Sequence, residues 1–401
     1  MPQHGLHLVS EDEEHRVTTL ELFFDLVFVY ALTQTTQLMS DHTTLFGLGQ
    51  GIVMLAVLWW CWCAYTWLGN TVHADRGVAR FAMLGAMAMM FLVSLTIPEA
   101  FTDLPGGLYA PLVFAVCYLL VRMLHLLAYF QAARQDAALR RVLTRVSGPM
   151  LGGAAVLIAA AFTSGTLQLG LWVVGLLVDY LGVYFAGAAG WRVTAPAHFA
   201  ERFGLIVIIA LGESIVAIGI GIGHFPISWP ITLGAIGGLG LAAAMWWMYF
   251  DIVAPVSERR LREATGIERA KLATDTYTYL HLPLIAGIVL VALGMKKALL
   301  YVADTEHYPP SEPLHGLALW ALTCGTALYL VGLSSLRRRN LGSWNTQRLV
   351  LAVALVATTP LLGTLPAVLL VVVVAAACAA LVTFERTRFG AWRRSVLTER
   401  T

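Results

Sequence analysis

Apolar stretches of about twenty residues, each closed by a short polar link, follow one another along almost the whole chain. A run of about 18 or more apolar residues is long enough to cross a bilayer as a helix. Read this way, the pattern predicts twelve spans, at 18–39, 47–69, 78–98, 108–130, 148–166, 168–190, 203–223, 230–250, 275–296, 315–336, 347–364 and 366–384. The last two are divided only by Pro360 and the turn residues of 363–366. The expected fold class is all-α, a polytopic membrane protein. The longest link, 251–274, has room for one short amphipathic helix.

Composition agrees with that pattern. The chain is 58% hydrophobic and 12% charged, where a soluble domain carries roughly 25% charged residues. The first sixteen residues are polar, and Glu21 and Asp25 interrupt the apolar run that follows, so no separate signal peptide is expected. A net charge of +2 without a basic domain argues against nucleic acid as a partner. All five cysteines fall inside apolar runs and read as small, reduced, buried side chains. Cys61-x-Cys63 is not a zinc or redox spacing, and no HExxH or GxxxxGK[ST] string occurs. Neither a metal, a cofactor nor direct ATP coupling is therefore expected.

Basic residues sort the links into two classes. One class holds Arg76 and Arg80; Arg134, Arg140, Arg141 and Arg145; Arg192 and Arg202; Arg259 through Lys271; Arg337, Arg338, Arg339 and Arg348; and the arginines from Arg386 onward, including Arg393, Arg394 and Arg400. The other class holds only Lys296 and Lys297, placed in an outer link. Because basic links stay in the cytoplasm, this asymmetry puts both termini there and requires an even number of spans.

An internal repeat is also readable. Glu21, Phe23 and Val27 lie over Glu201, Phe203 and Val207, and Trp59-Trp60 lies over Trp246-Trp247. Six spans separate the copies, so both enter the membrane from the same side. The expected organisation is two parallel six-helix halves, 18–190 and 191–384, between an N-terminal segment 1–17 and a C-terminal tail 385–401.

Ionisable residues inside spans are costly and are candidates for function. Thr18 and Glu21 fit a capping box, and Glu201, soon after Pro196, fits the favourable start of a helix dipole. Asp25 lies about 10 Å beyond the cap, too deep for capping; Glu201, Arg202 and His281 are its candidate partners. Glu213, amid Gly212, Gly219, Gly221 and Gly223, is the leading candidate acid. Asp179 has Arg122 as a plausible partner. His281, just before Pro283, either satisfies backbone carbonyls freed by the proline or shuttles protons. Trp59, Trp60, Trp62, Trp67, Trp246 and Trp247 read as an aromatic belt at the inner interface, or else as an aromatic wall for a lipid or apolar ligand.

The strings "LELFFDLVFVYALTQ", "WWCWCAYTWLGN", "HFAERFGLIVIIALGESIVAI", "MWWMYFD" and "YLHLPL" together resemble the bacterial low temperature requirement protein A (LtrA) family, in order from about residue 17 to 300. The resemblance implies a multi-pass protein of the bacterial inner membrane and supplies no substrate or mechanism. With the mid-membrane acids and the two halves, the leading reading is a proton- or cation-coupled secondary transporter. Its partners would be membrane lipid and a small ion or small molecule. The alternatives are a cation channel, or a membrane-embedded enzyme using Glu21, Glu201, Arg202 and Asp251 at the cytoplasmic face.

Overall fold

A computed structural model describes residues 16–388; most of the segment 1–17, and Arg393, Arg394 and Arg400 in the tail, lie outside the described residues. Among these residues the secondary structure is helical, with no strand. The chain forms two compact units.

The first unit comprises residues through His42, Phe46–Phe203 and Leu261–Thr274. It holds α1 (Thr19–Asp41), α2 (Leu45–Thr71), α3 (Gly77–Thr96), α4 (Ala110–Ala132), α5 (Ala137–Ala160) and α6 (Gly165–Ala186). It also takes the first turns of α7 (Pro196–Ile222) and the short α10 (Gly266–Leu272). Within it, α5 and α6 cross where two glycines meet. A Cβ on Gly153 would stand 2.6 Å from the Gly175 carbonyl oxygen, so only glycine lets the backbones come this close. That crossing sets the height of Asp179, one turn further along α6.

The second unit comprises Thr43–Leu45, Gly204–Arg260 and the chain from Asp275 onward. It holds the rest of α7, then α8 (Trp229–Met248), α9 (Ala254–Glu263), α11 (His281–Ala303), α12 (Gly316–Leu341), α13 (Thr346–Leu362) and α14 (Ala367–Arg388). Here α11 packs along α12 at Gly287, Gly294 and Gly325, again with no room for a Cβ. Among the described residues, eleven helical stretches are long and apolar enough to cross a membrane, and the 17-residue α13 is shorter. The chain is a multi-pass membrane protein.

The boundaries depart from the sequence pattern in four informative places. Helix α5 begins at Ala137 rather than 148, because Asp136 caps it by accepting from the backbone N–H of Ala138 and Leu139, both at 3.0 Å. Helix α7 begins at Pro196 rather than 203, which moves Glu201 and Arg202 inside the helix. The link 251–274 is helical almost throughout: a π-helical turn, Tyr249–Val253, carries α8 into α9, and a second, Ala273–Tyr279, carries α10 toward α11. Lys296 and Lys297, expected in an outer link, instead lie inside α11, which runs on to Ala303. The apolar residues after them continue the helical pattern, and the long aliphatic stem of lysine is compatible with a helical site.

Candidate functional site

The first turns of α1 and α7 lie side by side. Asn70, near the end of α2, fixes the entry to α7 from its side chain: its Oδ1 accepts from the N–H of Thr194 at 2.8 Å and of Ala195 at 3.3 Å, and its Nδ2 donates to the Ala195 carbonyl at 2.7 Å. His198 and Arg202 then project from successive turns of α7. Glu21 and Asp25 project from successive turns of α1. The same four-residue step on both helices lets the two pairs meet level with each other.

Glu21 completes the capping box: the Thr18 hydroxyl accepts from the Glu21 N–H at 3.3 Å, and Glu21 Oε2 accepts from the Thr18 N–H at 2.8 Å. The same carboxylate faces His198 Nε2, 3.0 Å from Oε1 and 3.2 Å from Oε2. Capping and pairing are thus one arrangement. Space for it comes from Gly69, where a Cβ would stand 2.6 Å from Glu21 Oε1.

One turn deeper, Arg202 donates to Asp25 through both terminal nitrogens, Nη1 to Oδ2 at 2.7 Å and Nη2 to Oδ1 at 2.9 Å. Trp62 Nε1 donates to Asp25 Oδ1 at 2.9 Å, and the guanidinium sits over the Trp62 ring. Arg202 Nε lies 3.9 Å from Glu21, so the arginine couples both acids. Glu21, Asp25, His198 and Arg202 are each no more than 2% exposed. Phe203 meets Trp62 edge-on, with ring centroids 4.9 Å apart, and Trp59 stacks on Trp62.

Trp59, Trp60, Trp62 and Trp67 are all buried, so the interfacial-belt reading fails for them. Their helix, α2, is packed on most of its faces; Trp62 touches the ion cluster, Trp59 stacks on Trp62, and Trp67 meets Phe199 of α7 edge-on. Trp60 stacks on Tyr180 with centroids 3.8 Å apart. Trp246 is about half exposed, and Trp247 packs under the Arg386 guanidinium, both in the second unit.

A second buried pair lies deeper in the first unit. Arg122 Nη2 donates to both oxygens of Asp179, at 2.9 and 3.1 Å, and the Tyr118 hydroxyl donates to Asp179 at 3.2 Å. One cation here faces one anion, so this pair is balanced.

In the second unit His281 is held at both ring nitrogens: Nε2 faces the Tyr249 hydroxyl at 2.9 Å and Nδ1 faces the Thr276 carbonyl at 2.8 Å. A carbonyl only accepts, so Nδ1 carries the proton and Nε2 accepts from the tyrosine. The carbonyl belongs to the π-helical turn, where the regular helical ladder is interrupted. Glu213 is buried on α7 beside buried Ser214. Asp251 sits on the first π-helical turn. Glu201, by contrast, is exposed, 3.5 Å from the Val17 N–H. Among the described residues no group of three or more His, Cys, Asp or Glu side chains is arranged to hold a metal ion.

The structure therefore joins Glu21, Asp25 and Arg202, and leaves Glu201 outside that cluster. Sequence reasoning misses His198, Gly69 and Asn70. A signal for them is present: His198 precedes Arg202 by four residues as Glu21 precedes Asp25, and Gly69-Asn70 closes the tryptophan-rich string of α2.

The family model described as bacterial low temperature requirement A protein (LtrA) matches residues 16–383. An uncharacterized protein of Rhizobium meliloti (strain 1021) is 28% identical over 311 residues, 73% of each chain. No solved structure matches.

Proposed function

The chain belongs to the bacterial low temperature requirement A family, and on that footing we propose that it is a proton-coupled secondary transporter of the inner membrane. The observation that supports this reading is a charge count. Among the described residues, the buried cluster joins two carboxylates, Glu21 and Asp25, to one guanidinium, Arg202, and one imidazole, His198. It is electrically neutral only when one further proton sits on the imidazole or on a carboxyl. Unbalanced charge is expensive inside a membrane protein, so closing the cluster away from water favours taking up that proton and opening it favours release. The balanced Arg122–Asp179 pair has no such vacancy and serves as a structural tie.

A proton suits the cluster better than a metal cation. Each of the four carboxylate oxygens already meets an N–H, O–H or imidazole nitrogen, which leaves no oxygen cage of the kind sodium or calcium needs. Glu213, buried in the second unit, is proposed as a further acid used in transport. The alternating arginines support cytoplasmic termini. The pairs Glu21–His198 and Asp25–Arg202 share a separation of 177 residues, so α1 and α7 start side by side and run the same way. That direction supports two parallel halves.

The test is proton flux in liposomes containing the purified full-length protein and a pH-sensitive dye, challenged with a panel of ions and small amines and acids. At least one solute should drive proton movement, and Glu21→Gln and Asp25→Asn should each abolish the coupling. Solute flux with no proton movement, or coupling that survives both variants, would overturn the reading.

A further inference from the structure

The outer face of α5 changes character along a single stripe. Arg141, Arg145, Gly148, Gly152, Ala155 and Ala159 follow at alternating steps of four and three, which keeps them on one face, and all are exposed. Above Gly148 the stripe is cationic, and Arg134 and Arg140 are also exposed at this end, with Arg192 close by. An acid also belongs to this surface: Asp136, which lies 3.3 Å from Arg192 and caps α5. Below Gly148 the stripe has almost no side chains, so it forms a shallow furrow. One wall of it is α6, where Val178, Leu181, Tyr184 and Phe185 are exposed; Val178 stands 3.9 Å from where a Cβ on Gly152 would lie.

Two observations fix the level of the change. Gly182 of α6 packs directly against Pro149 of α5, so the exposed rings of Tyr184 and Phe185 fall next to the end of the arginine cluster. Exposed aromatic rings mark the level where headgroups meet acyl chains. From Arg145 to Ala155 the furrow runs about 15 Å, half of a hydrocarbon core roughly 30 Å thick.

We propose that this face is a binding site for a diacyl phospholipid with an anionic headgroup. The phosphodiester sits at Arg141 and Arg145, with Arg140 adding to the field, and one acyl chain lies in the furrow over Gly148, Gly152 and Ala155. Guanidinium groups bind phosphate oxygens through paired N–H donors, and arginines at a membrane surface select anionic over zwitterionic lipid. The small residues admit a chain that larger side chains would displace.

The experiment uses the full-length protein, reconstituted in vesicles of equal parts phosphatidylglycerol and phosphatidylcholine, re-extracted in mild detergent, with retained lipid counted by mass spectrometry. The wild type should retain phosphatidylglycerol at least tenfold over phosphatidylcholine. The double variant Arg141→Gln/Arg145→Gln should lose that preference. Gly152→Leu should cut phosphatidylglycerol retention several-fold with the arginines intact. Both changes lie on an exposed face, and circular dichroism checks that the helices persist. Equal retention of the two lipids by the wild type overturns the proposal, and so does either variant, helical by circular dichroism, that retains as much phosphatidylglycerol as the wild type.

Discussion

Arg202 and Asp25 meet end-on, two hydrogen bonds at 2.7 and 2.9 Å between helices whose contacting residues are 177 positions apart. Both groups are buried, and each is the other's main compensating charge. Losing one partner of a buried pair costs about 3–5 kcal/mol, whereas replacing both by apolar groups of similar volume is often neutral. Asp25→Asn should therefore lower the thermal midpoint in detergent, and Asp25→Leu combined with Arg202→Met should recover most of it. The double variant should still fail in the liposome assay. A double variant that regains stability and also transports protons would reduce the pair to packing.

Gly69 is needed for the space it leaves. A methyl group there would fall 2.6 Å from Glu21 Oε1, so Gly69→Ala should push the carboxylate off His198 at a cost of about 1–3 kcal/mol. Gly107 is the control: a methyl group there would meet nothing within 4 Å, and Gly107→Ala should leave the melting curve unchanged. Equal melting of the two variants would show that the Glu21 pocket relaxes freely.

Asn70→Ala removes three hydrogen bonds to the segment entering α7. Each buried backbone group left unpaired costs about 1–3 kcal/mol, partly relieved by water near the helix end, so a loss of about 2–4 kcal/mol is expected. Because Asn70 orients the start of α7, hydrogen exchange should rise at Thr194 and Ala195. Exchange that stays at the wild-type rate there would place the restraint elsewhere.

These positions explain what the sequence could reveal. Helices were legible because nearly every span is a long apolar run, and the capping box at Thr18 and Glu21 is a local signal. The pair Arg122–Asp179 was legible because both residues interrupt apolar helices. The beginnings of α5 and α7 were not, because polar, helix-compatible residues such as Arg140 and Glu201 read as link when hydropathy alone marks the ends. Lys296 misled for the same reason. The tryptophans of α2 misled differently: an aromatic cluster near a helix end has the same composition whether it faces lipid or an ion pair, and only packing decides. Which acid met which base depended on the lateral packing of α1 against α7, and no local pattern encodes that.

Glu21 performs two tasks, and one substitution separates them. At the third helical position of a capping box, glutamine serves as well as glutamate, so Glu21→Gln should keep the cap on Thr18 and hold stability to within about 1 kcal/mol. The charge task does not survive. With a neutral glutamine in place of Glu21, Asp25 and Arg202 balance each other, so the cluster no longer gains by binding a further proton. Wild-type protein should therefore take up one more proton than the variant when the cluster closes, and its solute flux should follow the pH gradient, whereas flux through Glu21→Gln should be independent of that gradient. Thr18→Ala tests the other half: it should cost about 1 kcal/mol of stability and leave coupling intact. The measurement is initial solute flux into liposomes at a series of imposed pH gradients, for wild type and both variants, with melting curves run in parallel. If Glu21→Gln keeps the wild-type dependence on the gradient, the extra proton is not the coupling ion and Glu21 is a cap alone.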